Sequence, residues 1–184
     1  VDTDEYFETK KMDDDITEAF DKIDTDWNFL FTGHWLQGKI GEDRKDIGML
    51  IKVFCETFKN QKNQPGLILK TSSASFSVLD REEMIKKIND VKKTVNGDLP
   101  KIYLLHGELT DAQMNLLYNH PKVKAHISLT HGEGFGRPLL EATQSGKPVI
   151  ASAWSGQVDF LNPNYAVLLG GSLTKAPKLS LIHI

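Results

Sequence analysis

Short apolar runs alternate along the chain with segments whose apolar positions recur every three or four residues. Trp27-Asn-Phe-Leu-Phe-Thr-Gly33 reads as a buried strand ending in glycine. In residues 46–60, Ile47, Leu50, Ile51, Phe54 and Phe58 fall at i, i+3, i+4, i+7 and i+11, one face of a helix. Pro65-Gly66 then breaks the chain before a second strand at residues 67–72, which runs into a polar loop. A helix capped by Asp80 carries Met84, Ile85, Ile88, Val91 and Val95 and is stopped by Asn96-Gly97. The unit repeats with a third strand at residues 101–106 and a helix that starts at Thr110 and contains Met114, Leu117 and Tyr118. A fourth strand at 124–130, a helix over about 135–145 closed by Gly146, and strands at 148–152 and 165–169 complete the series.

This alternation predicts an α/β fold, a doubly wound parallel sheet of Rossmann-like type, because each parallel crossover needs a helix to return the chain. A ligand then belongs beyond the carboxyl ends of the strands, where the loops after the first, second, fourth and fifth converge. The 184 residues suffice for one domain with a proper core. A net charge of -3 argues against a broad electrostatic grip on nucleic acid or anionic lipid. The charge is uneven, however: residues 1–26 hold 11 acids against Lys10, Lys11 and Lys22, a net of -8, which leaves +5 on the remainder. The acidic segment reads as a solvated linker or remnant preceding the domain, and residues 27–178 as a domain suited to an anion. Cys55 is the single cysteine, which excludes a disulfide framework and a Cys-rich zinc site; beside the apolar helix face it reads as packing. No run approaches the ~18 apolar residues of a membrane span and the start does not read as a leader, so a cytoplasmic protein is expected. Val1 in place of an initiator Met suggests a truncated piece, and residues 179–184 resemble a translated sequencing adapter found on metagenomic genes, an expected non-native tail.

The chemistry concentrates after the fourth strand, in His131-Gly-Glu-Gly-Phe-Gly-Arg-Pro-Leu-Leu-Glu-Ala142. Gly132, Gly134 and Gly136 let the backbone approach a ligand, and the helix that follows offers free N–H groups and a positive dipole end to a phosphate. Glu133 precedes that helix and Glu141 lies within it, so two carboxylates bracket the anion site. The dinucleotide fingerprint G-x-G-x-x-G fails at Arg137, and Gly146-Lys147-Pro148 is no phosphate-binding P-loop. Neither a G-x-S-x-G elbow nor an H-E-x-x-H helix occurs. His34, His106 and His131 fall near strand ends as candidate ligand contacts, while His126 reads as packing and His120 as a surface residue; His183 lies in the tail.

Glu133-Gly-Phe-Gly-Arg-Pro-Leu-Leu-Glu141 resembles the E-x7-E motif of retaining glycosyltransferases of group 1 (family 4), and the resemblance runs over about residues 27–171. The overall pattern is most similar to that of uncharacterised bacterial and tailed-phage members. The resemblance implies the C-terminal, donor-binding half of a two-domain GT-B enzyme, with the acceptor-binding half missing and this piece alone inactive. Its donor would be a nucleotide-diphosphate sugar, and its acceptor a glycan or other hydroxyl compound reached through the N-terminal half. A hexosyl group would be transferred with retention and without cofactor or metal; Asp24-Thr-Asp26 spells D-x-D, but ahead of the first strand and away from the cleft.

Carried over residue by residue, Glu133 would meet hydroxyls of the donor sugar and Glu141 the nucleotide ribose. Backbone N–H groups of Gly134, Phe135 and Gly136, with Arg137 beside them, would face the sugar and pyrophosphate. The family usually has Gly-Arg after the first strand and a Lys before the next helix. Here Gly33 is followed by His34, Lys45 matches the Lys, and Arg44 stands next to it. Lys70 either supplies the lost charge or is a solvated lysine. Trp154-Ser-Gly-Gln-Val-Asp159 occupies the family's Gly-Gly-x-x-Glu loop, with Gly156 kept and Asp159 in place of Glu. Lys45 and Arg44 would stabilise the departing nucleoside diphosphate, making Glu133, Lys45 and Arg44 the catalytic candidates. Trp35, Phe135, Trp154 and Phe160 fall on cleft-side loops, where exposed apolar surface would receive the other half. His34 in place of Arg keeps a rival open, a non-catalytic nucleotide-binding module; the failed fingerprint weakens an NAD-dependent oxidoreductase.

Overall fold

The structure is a computed structural model that describes residues 2–36, 40–73, 75–173 and 175. Six strands, β1 (Asn28–Thr32), β2 (Gly66–Lys70), β3 (Ile102–Leu105), β4 (Val123–Ser128), β5 (Val149–Ser152) and β6 (Ala166–Leu169), form one sheet. Their order is β3-β2-β1-β4-β5-β6, and every pairing is parallel. The order reverses between β1 and β4, so the connections leave this pair in opposite directions and open a crevice at their carboxyl ends. The doubly wound sheet expected from the alternation is the fold observed.

The alternation within strands decides which layer each side chain joins. Phe29 and Phe31 of β1 and Leu67 and Leu69 of β2 pack against α2 (Ile47–Phe58) and α3 (Val78–Lys92) on one face. Leu30 and Ile68 point the other way, into a second layer that contains α4 (Asp111–Asn119) and α5 (Arg137–Gln144). Thr110 caps α4 through a reciprocal bond pair with Gln113. Cys55 is buried and unpaired in the first layer. Among the described residues no helix is long and apolar enough to cross a membrane.

Two expectations need correction. The acidic segment is not a solvated linker: α1 (Asp14–Asp21), capped by Asp13, buries Ile16 and Phe20, and Tyr6 and Ile23 join them in the second layer. Phe20 stacks on His120 with ring centroids 3.5 Å apart, so His120 is no plain surface residue. Residues 7–9 are laced to α4: Asn115 Oδ1 accepts the Phe7 N–H at 3.2 Å, Asn119 Oδ1 the Thr9 N–H at 2.9 Å, and Asn119 Nδ2 donates to the Phe7 carbonyl at 2.9 Å. Asp24 of the D-x-D pairs with Lys101 and Tyr103. The second correction concerns Asp80, which is not the helix cap. Ser77 caps α3, and Asp80 in its first turn accepts the Ser73 N–H and meets His106 Nε2 at 2.7 Å. Helix α3 ends at Lys92, before Val95 and Asn96-Gly97. The expected tail at residues 179–184, with His183, lies outside the described residues.

His126 packs in β4 as expected, fully enclosed, with both ring nitrogens unpartnered. Burial, aided by the Lys45 charge, pushes its pKa from 6.5 down to about 3. The unfolded chain therefore takes up a proton near pH 6.5 that the native state refuses until far lower, and stability falls as pH drops through that window. His126→Leu should abolish this contribution, about 2 kcal/mol between pH 7 and pH 5. Urea melts at the two pH values check it, and an unchanged acid slope would mean that His126 is protonated in the native state.

Candidate functional site

A cavity of about 300 Å³ opens at the carboxyl ends of β1 and β2. Gly33, His34, Arg44, Lys45 and Lys70 line it together with Ser72, Phe76, Met114 and Pro138. The strand ladder continues past β1 to build its wall: the Gly33 N–H donates to the Lys70 carbonyl at 3.1 Å and the Trp35 N–H to the Ser72 carbonyl at 2.8 Å. Position 33 is tight for a side chain, since a Cβ would lie 3.0 Å from the Phe31 ring and 3.3 Å from Lys45 Cε and would press on both. His34 Nδ1 lies 3.2 Å from Ser72 Oγ.

The loop before α2 is stitched to the loop after β4. The Arg44 carbonyl accepts the His131 N–H at 2.9 Å and the Thr130 hydroxyl at 3.1 Å, and Asp46 Oδ2 meets His131 Nε2 at 3.0 Å. These contacts deliver two cations to one carboxylate. Lys45 Nζ lies 2.5 Å from Glu133 Oε1, and Arg44 Nη1 lies 3.2 Å from Oε2 and donates to the Gly132 carbonyl at 2.8 Å. Burial pushes the Glu133 carboxyl up, but the bonds and charges of Lys45 and Arg44 outweigh it and hold the group below its usual range. Glu133 is thus an ionised carboxylate on the crevice side of β4.

From the other flank, the loop after β5 clasps the same turn. Ser155 Oγ accepts the Glu133 N–H at 3.1 Å and donates to the Glu133 carbonyl at 2.6 Å, and the Gly156 N–H reaches that carbonyl at 3.1 Å. Gly156 admits no side chain, since a Cβ there would fall 2.1 Å from the Gly134 carbonyl. Gly134 itself faces open space, and Gly136, at φ 88°, starts α5.

Glu141 differs from the expectation that it faces an open cleft. It is only 4% exposed. Its Oε1 accepts from Arg137 Nε at 2.5 Å and its Oε2 from the Tyr118 hydroxyl at 3.0 Å, so both oxygens are engaged. Burial raises its pKa despite these donors. Arg137 also reaches Asp111 at 3.1 Å, which divides its charge between two acids. The glutamate of the helix is therefore closed off by an arginine that a ligand would have to displace.

Lys70 is not a solvated lysine. It is buried, donates to the Gly107 carbonyl, lies 5.3 Å above the Phe76 ring, and has its pKa lowered by burial. Trp35 also departs from expectation: at 4% exposure it belongs to the α2–α3 layer, whereas Phe135 and Trp154 stand half exposed near Glu133 and Phe160 packs against Phe135. His106 is occupied by Asp80 rather than by the cavity. Phe76 and Met114 line the cavity without having been singled out, because nothing in their local pattern separates a cavity wall from core. Ser155 was legible only as part of the loop around Gly156. Among the described residues no group of three or more His, Cys, Asp or Glu is placed to hold a metal ion.

The family described as "Glycosyl transferases group 1" matches the chain over residues 80–177, more than half of its length. Among solved structures the chain is similar to the C-terminal domain of a group 1 glycosyl transferase family protein (LpcC) from Francisella tularensis. The TM-score is 0.63 at 16% identity, over 91% of this chain and 80% of that one. It is also similar to a glycosyltransferase from Rickettsia africae, with a TM-score of 0.63 at 15% identity over 98% of this chain and 44% of that one. A third is HepE from Anabaena, in complex with UDP and glucose, with a TM-score of 0.60 at 16% identity over 92% and 41% of the two chains. The chain thus spans less than half of the latter two proteins, and at these identities the likeness shows the shared fold. No curated protein matches the chain in sequence.

Proposed function

The chain belongs to the group 1 glycosyl transferases, and on that premise we propose that it is the donor-binding half of a two-domain GT-B enzyme. The enzyme would move a sugar from a nucleoside diphosphate to an acceptor hydroxyl. The observation that carries this reading is the convergence of Lys45 and Arg44 on Glu133 at a cavity whose walls also hold His34 and Lys70. A diphosphate entering the cavity competes with Glu133 for the two cations, and its own charge is the greater. Lys45 and Arg44 turn to the phosphates, and the Glu133 carboxylate is released to accept hydroxyls of the attached sugar. When the bond between the anomeric carbon and the phosphate oxygen breaks, the electron pair leaves with the nucleoside diphosphate, and the two cations stabilise it there.

No second carboxylate stands free beside Glu133 among the described residues of the site, Glu141 being engaged by Arg137 and Tyr118. With retention taken from the family resemblance, this fits a front-face route, in which the acceptor hydroxyl attacks beside the leaving phosphate. The acceptor, a glycan or other hydroxyl compound, would arrive through the N-terminal half, and this piece alone would bind without turning over. Neutralisation by side-chain cations lets the reaction run without a metal. The buried free thiol of Cys55 suits a reducing, cytoplasmic compartment.

HepE's complexes with UDP and glucose and with UDP-glucose make UDP and UDP-glucose the first probes, with GDP and GDP-mannose as the second pair. Calorimetry should show the sugar nucleotide binding more tightly than the bare diphosphate. Glu133→Ala should remove that increment, about 1–3 kcal/mol for lost charged hydrogen bonds. The bare diphosphate should bind this variant no more weakly, since Lys45 and Arg44 are no longer held by the carboxylate. Glu141→Ala should weaken both members of a pair alike. Failure of both pairs to bind would refute the donor-binding reading. Binding without transfer when the N-terminal half is present would favour the non-catalytic module, with His34 in place of Arg as its cause.

A further inference from the structure

Ser155 holds a backbone conformation, φ 75° and ψ -164°, that belongs almost entirely to glycine. A serine there is strained, and within its own loop its carbonyl accepts the Val158 N–H at 3.1 Å. Its hydroxyl bonds instead to a different loop, accepting the Glu133 N–H at 3.1 Å and donating to the Glu133 carbonyl at 2.6 Å. Glu133 sits between Gly132 and Gly134, the residues that restrain a backbone least, and a Cβ at Gly134 would meet no atom within 4 Å. The turn that presents the carboxylate therefore takes its hold from neighbouring loops: the Gly134 carbonyl lies where a Cβ at Gly156 would be 2.1 Å away, and the Gly132 carbonyl accepts from Arg44 Nη1 at 2.8 Å. Its side chain is held by Lys45 and Arg44, the cations that a diphosphate would draw away. At that moment the bonds from Ser155 and the Gly156 N–H still hold the backbone N–H and carbonyl of Glu133 itself.

We propose that Ser155 is a positioning residue for donor-sugar recognition: its hydroxyl fixes the Glu133 turn so that the released carboxylate meets the sugar hydroxyls already ordered. The inference deepens the proposed function and rests on Glu133 being the sugar-binding carboxylate.

The test compares wild type, Ser155→Ala, Ser155→Gly and Glu133→Ala in the 184-residue chain, by calorimetry with UDP against UDP-glucose and GDP against GDP-mannose, and by thermal melts. Both serine variants should bind the bare diphosphate within twofold of wild type and lose at least tenfold of the preference for the sugar nucleotide. Ser155→Gly should melt no lower than wild type, because it relieves the strain, so its loss of preference cannot be laid to unfolding. If both serine variants keep the preference within twofold while Glu133→Ala loses it, the positioning role is wrong and the reading of Glu133 stands. If Glu133→Ala keeps it, or wild type shows none with either pair, the reading of Glu133 fails and this inference with it. An equal loss for diphosphate and sugar nucleotide in Ser155→Gly also overturns the proposal, since that marks a general loosening of the site.

Discussion

Lys45→Met is expected to cost about 3–5 kcal/mol of stability at neutral pH and to lower diphosphate affinity at least tenfold. The Lys45 and Glu133 side chains are 12% and 10% exposed, so removing the ammonium strands a nearly buried carboxylate with only Arg44 for company, itself 56% exposed. In the native protein the Glu133 pKa is depressed, so its ion pair stabilises the fold above the ordinary value of 4.5 and is lost as pH falls through the folded value. In the variant the carboxyl loses the Lys45 bond and charge against the same burial, so its pKa should rise and the native state should hold its proton more readily. The cost of the substitution should therefore be greatest near pH 7 and shrink towards pH 4.5. Urea melts at both values check this, and an equal cost at each would show that the pair contributes no pH-dependent stability. Adding Glu133→Leu should restore much of the stability, because no charge is then left stranded, and none of the diphosphate affinity.

Phe20→Ala should cost a similar 3–5 kcal/mol, the range for truncating a large aromatic in a core. Phe20 is 2% exposed and stacks on His120 beside Ile16, Ile23 and Tyr6. A chain started at residue 27 should correspondingly lose its cooperative melt. If residues 2–26 were a linker, neither change would move the melting temperature, so calorimetric melts of the two variants decide the matter.

The sheet was legible because its strands carry apolar residues on both faces and its helices on one. Phe29, Leu30 and Phe31 announce a strand covered on two sides whatever the rest of the chain does. The acidic segment misled for a physical reason. Ile16, Phe20 and Ile23 do keep a helical i, i+4, i+7 spacing, but eleven acids around them outweigh it in any measure of composition. Asp80 looked like a cap because aspartate often is one. Its commitment to His106, 26 residues away, is a tertiary fact that local pattern does not encode.

The site divides along the same line. Gly33, His34, Arg44, Lys45 and Lys70 were chosen for their places at strand ends or by family resemblance, and the fold brings all five to one cavity. What could not be read was who pairs with whom. Lys45 and Glu133 are 88 residues apart in the chain. Tyr118, which helps to close off Glu141, reads in sequence as one more apolar position of α4.

The lacing of residues 6–9 to helix α4 fixes the order in which this part of the fold can be completed during synthesis. Tyr6, Phe7 and Thr9 find their partners 105, 108 and 110 positions further on, so a hundred residues must be translated before residues 6–9 have anywhere to dock. At about 5–20 residues per second that is a delay of roughly 5–20 s on the ribosome. For that interval Tyr6, Ile16 and Phe20, all buried in the fold, are without cover. The eleven acids of residues 1–26 repel neighbouring copies and keep the stretch hydrated until α4 emerges. The charge that made the segment look dispensable thus suits a stretch that must wait for its binding surface to be made.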